Sequence, residues 1–152
     1  MPNVRLHFSI GAFRLSGRIE PGAPASSAWL LKQLPYVGVL LQARWSGEAG
    51  WSPLRTEVRL EPENAMTHPK PGQILLYAGA CSEPELLIPY GICGFACKVG
   101  PLSGNHIATL DCGVNELQEV GGSLQFKGAQ SLRIALTPDD LDAPPTRRFA
   151  GV

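Results

Sequence analysis

Arg44, Trp45, Glu48, Trp51, Tyr77, Glu83, Glu85 and Tyr90 are the residues whose types could do chemistry together. One cation, carboxylates and aromatics in such a set suit a small polar or anionic ligand. Arg44 would grip a carboxylate or carbonyl, and the aromatics would wall in the apolar part. A structural role competes with that reading: Trp45 and Trp51 as core or interface aromatics, and Arg44 paired with Glu48 across a hairpin. No serine or cysteine has an evident base beside it, and no glycine–lysine phosphate loop is present. Cys93 and Cys97 are four positions apart, about 13 Å along one face of a strand. His7, His68 and His106 stand on separate segments. Neither a metal nor a cofactor is therefore expected. Cys81, Cys93, Cys97 and Cys112 read as reduced thiols in the core or the cleft.

The chain that must position these residues has 152 residues, 44% hydrophobic and 17% charged, enough for one buried core. Its formal net charge of +0 provides no global field for nucleic acid or an anionic membrane, so neither is an expected partner. Seventeen Gly and 14 Pro favour short strands and turns over a helix bundle. No apolar run approaches the roughly 18 residues that span a bilayer. Met1 to His7 alternates polar and apolar residues, unlike a secretory signal, and a cytoplasmic protein is expected. Trp29, Tyr36, Trp45, Trp51, Tyr90 and Phe149 are more large aromatics than a small domain hides easily, which predicts a homo-oligomer, a dimer or higher.

Val4 to Ile10 and Phe13 to Ile19 alternate with period two and predict an antiparallel hairpin turning at Gly11. Ala25 to Leu34 predicts a helix with Ala28, Leu31, Leu34 and Trp29 toward the core, stopped by Pro35. Val39 to Trp45 and Glu48 to Trp51 predict a second hairpin with Ser46-Gly47 as its turn. Further strands are predicted at Thr56 to Leu60, Gln73 to Tyr77, Leu86 to Ile88 and Gly94 to Val99. Asn105 would cap a helix from His106 to Val120, ended by Gly121-Gly122. Leu132 to Leu136 forms the last strand. The expected fold is mainly β: a closed antiparallel barrel of about eight strands capped by two α-helices, one domain over 1–137 with a mobile tail over 138–152.

This order of elements resembles the cyclophilin fold. Pro71-Gly72-Gln73-Ile74-Leu75-Leu76-Tyr77-Ala78-Gly79 and Phe95-Ala96-Cys97-Lys98-Val99 are similar to cyclophilin strand segments. A closer resemblance is to small bacterial cyclophilin-like proteins of unknown function. It is carried by Leu34-Pro35-Tyr36, Ala43-Arg44-Trp45-Ser46-Gly47-Glu48, Pro71 to Tyr77, and Pro89-Tyr90-Gly91. The resemblance puts Arg44 where prolyl isomerases of this fold carry the arginine that polarises the substrate amide. Glu85-Leu86-Leu87 stands at their Gln-Phe-Phe position, and Cys93 or Gly94 where a histidine would be. Without that aromatic floor no prolyl isomerase activity is expected. The same alignment predicts Arg44 and Glu85 within salt-bridge reach of each other. Two function classes follow. One is a module binding a small polar or anionic ligand. The alternative is an enzyme acting on a small amide or cyclic amide, by analogy with cyclophilin-like domains in bacterial lactam- and urea-type amide hydrolases.

Overall fold

Alternation at the N-terminal end becomes the first hairpin of the structure, a computed structural model that describes residues 3–143. Strands β1 (Arg5–Ile10) and β2 (Phe13–Ile19) pair with Phe8 opposite Leu15 and Ile10 opposite Phe13. Helix α1 (Pro24–Gln33) follows, then β3 (Tyr36–Gln42), β4 (Gly47–Pro53), the two-residue β5 (Ala65–Met66), β6 (Gln73–Tyr77) and β7 (Glu85–Cys93). A small hairpin, β8 (Ala96–Cys97) and β9 (Gly100–Pro101), precedes β10 (Gly104–Leu110), α2 (Val114–Lys127) and β11 (Gln130–Ala135). The main sheet runs β2-β1-β11-β3-β4-β7-β6-β10, and pairing of β10 with β2 through Ala108–Ile19 and Leu110–Gly17 closes it. This is the expected eight-stranded antiparallel barrel with two helices; closure removes the exposed sheet edges that would otherwise template aggregation.

Phe8, Ile10, Leu40, Ile74, Leu86, Ile88, Ile107 and Leu132 fill the barrel, and α2 covers it with Leu117, Val120 and Leu124. A second cluster, including Leu75, Tyr77, Leu87 and Phe95, lies on the outer face of β6 and β7. The chain from β7 to β10 covers that face, which is why β7 is buried on both sides and reads as a continuous apolar run.

Several expected elements differ. His106 to Leu110 is strand, not helix: residues 104–108 are buried throughout, so a run covered on both faces carries no period-two signature, and its apolar spacing mimics a helix. Asn105 caps nothing there. Its amide donates to Ser26 Oγ (2.9 Å) and the Glu61 carbonyl (3.0 Å), and its Oδ1 accepts from the Glu63 N–H (3.0 Å). Gly121-Gly122 lies inside α2, because Gly121 passes directly over the Tyr90 ring. Thr56 to Leu60 pairs with no strand; its alternation reflects Val58 dipping into the core. Gly94 to Val99 folds back at Lys98-Val99 as the β8–β9 hairpin, so Cys93 and Cys97 belong to separate strands. The strand expected over Leu86 to Ile88 is longer, spanning all of β7.

On α1, Ser26, Ser27 and Leu30 are buried and Ala28 is exposed, while Trp29, Leu31 and Leu34 pack at the core's margin. Tyr36 and Tyr90 are enclosed within the chain and unavailable to an interface; Phe149 lies outside the described residues. A 3-10 turn at Asp139–Leu141 buries Leu141, and Arg133 donates to the Leu141 and Ala143 carbonyls (2.8 and 2.9 Å), so 138–143 is docked on β11; 144–152 lies outside the described residues. No described helix is long and apolar enough to cross a membrane.

Candidate functional site

β3 ends at Gln42 and β4 begins at Gly47, so the expected two-residue turn is a loop, and Arg44 and Trp45 ride on it. Gly47 has φ +91°, and a Cβ there would stand 2.8 Å from the Ile92 carbonyl oxygen; only glycine lets the loop close this tightly on β7. Ser46 then ties the loop to the β8–β9 hairpin. Its buried hydroxyl donates to the Ala96 carbonyl (3.2 Å) and accepts from the Ala96 N–H (3.1 Å), and its carbonyl accepts from the Gly94 N–H (3.0 Å). Gln42 braces the other side by donating to the Ala43 and Gly47 carbonyls (3.2 and 3.1 Å). Gln42 Oε1 accepts from the Tyr90 hydroxyl at 2.7 Å, and that hydroxyl accepts from Gln125 of α2, also at 2.7 Å. A chain from α2 through Tyr90 and Gln42 thus positions Arg44, and Ser46 couples it to the segment bearing Lys98.

These segments and the loop at 78–84 enclose a cavity of about 610 Å³, within the size range of small-molecule sites. Arg44 and Lys98 line it as cations and Glu83 as a carboxylate; Leu41, Trp45, Trp51 and Val99 supply apolar surface. Trp45 is 53% exposed, so the mouth is open on its side. Among the described residues neither Arg44 nor Lys98 makes an ion pair or a side-chain hydrogen bond. Cys81 and Cys97 also line the cavity. Cys93 lies in the outer cluster, where burial pushes its thiol up to about 11 and keeps it protonated at neutral pH.

Of the eight residues singled out in the sequence, Arg44, Trp45, Trp51 and Glu83 line this cavity. Tyr77 and Glu85 share the outer sheet face but are buried behind it. Tyr77 packs edge-on against Phe95, with ring centroids 5.5 Å apart, and its hydroxyl accepts from the Cys81 N–H (3.0 Å). Burial, and then the charge of Glu83, pushes the Glu85 carboxyl up to about 8, so it holds its proton at neutral pH. The expected Arg44–Glu85 ion pair does not form, because Arg44 stands on an exposed loop while Glu85 is enclosed at the start of β7. Arg44 does not pair with Glu48 either: Glu48 Oε1 accepts from the Ile92 N–H at 2.9 Å. Tyr90 lies in the barrel core and reaches the site only through Gln42.

Lys98 and Gln42 were not anticipated. The one sign in the sequence was the Gly100-Pro101 pair after Val99, a turn signal; Gly100 takes φ +140°, and the segment folds back there and brings Lys98 to the cavity.

Residues 14–136 match the DUF3830 family, described as a protein of unknown function. Two solved structures share the cyclophilin-like barrel. One is McbB in complex with tryptophan, at TM-score 0.65 and 17% identity over 95% of this chain and 47% of that one. The other is the solution structure of the hypothetical protein AF2241 from Archaeoglobus fulgidus, at TM-score 0.53 and 12% identity over 89% of this chain and 95% of that one. The chain spans about half the length of McbB. No curated protein matches. At these identities the likeness speaks for the fold alone.

Proposed function

From a chain that belongs to the DUF3830 family, whose function is unknown, no activity is inherited, and we propose from the cavity that this protein binds a small anion with an apolar body. The observation that carries the reading is a pair of unpaired cations, Arg44 and Lys98, sharing one cavity with two indoles. A guanidinium left without a carboxylate partner is a ready donor for a bidentate contact to an anionic group. Trp45 and Trp51 offer rigid apolar walls for the rest of the ligand. The cavity's own charge favours this class, with Arg44 and Lys98 against one carboxylate, Glu83.

Anilinonaphthalene sulfonate, a fluorescent aromatic anion, is the first probe, and tryptophan, the ligand in the McbB structure, the second. Arg44→Ala is expected to weaken binding of the sulfonate at least tenfold, since a charge-assisted contact is worth about 1.5–3 kcal/mol. Its thermal midpoint should stay close to the wild-type value, because Arg44 is exposed and holds no internal partner. Fluorescence titration of both proteins checks this, and equal affinities would remove the reading.

One observation favours a second reading, an enzyme acting on a small amide or cyclic amide: the protonated Glu85 beside Glu83 is the kind of carboxyl pair that serves acid–base chemistry. Glu85-dependent turnover of a simple lactam would select it over binding alone. Prolyl isomerisation has no such support. Leu86 faces the barrel core and Leu87 is buried in the outer cluster, so neither offers a floor for a proline ring. A protease-coupled assay with a proline peptide is expected to return the uncatalysed rate, and a rate like that of an ordinary cyclophilin would overturn this.

A further inference from the structure

Glu83 is the charged group of the cavity to which the anion reading gives no part. It is exposed and lines the cavity, and among the described residues it makes no ion pair and no side-chain hydrogen bond. Two cations without partners share that cavity, yet the carboxylate pairs with neither. Sheet register supplies the reason. Glu83 belongs to the loop that joins β6 to β7 and enters β7 at Glu85, opposite Pro53 of β4. Arg44 belongs to the loop that enters β4 at Gly47, opposite Cys93 at the far end of β7. Between those ends β4 runs seven residues, about 20 Å of strand. The hairpin carrying Lys98 is tied to the Arg44 loop through Ser46 and Ala96. Trp51 stands on the outer face along that span, opposite Leu41 of β3 and Leu87 of β7, and Trp51 and Leu41 both line the cavity. The cavity is therefore a groove with a carboxylate entering from one end of β4, an apolar middle, and cations entering from the other end.

Opposite charges held apart in one groove cannot satisfy each other, but a ligand long enough to span the apolar middle can satisfy both. A carboxylate in the groove also repels any ligand that is anionic at both ends, and such repulsion is a common source of specificity. We propose that Glu83 is a specificity-determining residue of this site, its carboxylate accepting a hydrogen bond from a cationic group at the far end of the ligand that Arg44 and Lys98 hold by its anionic end. The ligand class narrows accordingly to elongated zwitterions: an apolar body with an anionic group at one end and an ammonium or guanidinium group at the other. An α-amino acid carries both charges on a single carbon and gains nothing from Glu83. The proposal rests on the anion-binding reading.

Octanoate, 8-aminooctanoate and 2-aminooctanoate test it, since all three carry the same carboxylate and carbon chain at pH 7 and differ only in whether, and where, an ammonium is attached. Calorimetric titration of the full-length protein is expected to show about tenfold preference for 8-aminooctanoate over the other two, the value of one charge-assisted hydrogen bond. Glu83→Gln should abolish the preference and bind octanoate at least as tightly as the wild type, because a repelling carboxylate has gone. Glu83→Asp, which keeps the charge, should retain part of the preference. Thermal melts establish that each variant is folded. Equal affinities for the three acids in the wild type, a preference unchanged in folded Glu83→Gln, or 2-aminooctanoate bound as tightly as 8-aminooctanoate would overturn the Glu83 assignment alone. If Arg44→Ala leaves all three affinities unchanged, or none of the acids binds the wild-type protein, the anion reading falls and this proposal with it.

Discussion

Gly121→Ala is expected to lower the thermal midpoint by a few degrees, roughly 2–8 °C, although alanine is the better helix former. A Cβ at Gly121 would overlap Cγ, Cδ1 and Cε1 of Tyr90, a ring that is fully enclosed between β7 and α2. These atoms are the body of a buried aromatic, not the end of a flexible chain. The ring cannot step aside without losing its hydroxyl bonds to Gln42 and Gln125, so α2 must lift from the barrel. Overpacking of this kind typically costs 1–3 kcal/mol, which outweighs the gain in helix propensity of just under about 1 kcal/mol. Gly122→Ala is the internal control. Nothing stands within 4 Å of its Cβ position, so it should gain stability by up to about 1 kcal/mol. Because Tyr90 holds Gln42, and Gln42 holds the Arg44 loop, Gly121→Ala should also weaken probe binding while Gly122→Ala leaves it unchanged. Scanning calorimetry of the two variants side by side decides the matter; equal midpoints would refute the close-packing argument.

Glu85→Gln is expected to flatten the fall in stability between pH 5 and pH 8. The folded carboxyl titrates at about 8, against the ordinary carboxylate value of 4.5 in the unfolded chain. Between those values the native protein holds a proton that the unfolded chain has released, so unfolding free energy falls as pH rises. The stabilising effect of the retained proton is complete below 4.5 and is lost as pH rises through 8. At about 1.4 kcal/mol per pH unit, the difference from pH 5 to pH 8 amounts to roughly 3–4 kcal/mol. His106 acts in the opposite sense: burial pushes its imidazole down, so its contribution improves as acid is neutralised. Subtracting the Glu85→Gln profile from the wild-type profile cancels His106 and isolates the carboxyl. Parallel profiles across this range would show that Glu85 is not held neutral.

The first hairpin was legible because one face of β1 and β2 packs inward and the other meets solvent, so Leu6, Phe8 and Leu15 alternate with polar residues. β11 and the extent of α1 followed from similar local patterns and from Pro35, and β6 from a short, strand-length apolar run. β10 was illegible for the converse reason. Residues 104–108 are enclosed on both faces, no polar phase marks the strand, and Ile107, Leu110, Val114 and Leu117 happen to fall at helical spacing across the strand–helix junction.

Residue chemistry at the site was likewise readable only in part. Arg44, Trp45, Trp51 and Glu83 could be chosen by type, because a cation, a carboxylate and indoles are what an anion with an apolar body requires. Their mutual placement was not local information. Lys98 reaches the cavity because the Ser46 hydroxyl bonds both backbone groups of Ala96, 50 residues away in sequence, and Glu85 misses Arg44 because β3 ends two residues before Arg44. Side-chain type and short-range periodicity thus set the class of fold and the candidate chemistry. Which cations share a cavity, and which carboxyl is stripped of water and keeps its proton, depends on long-range closure of the barrel and on desolvation, and neither leaves a mark in neighbouring residues.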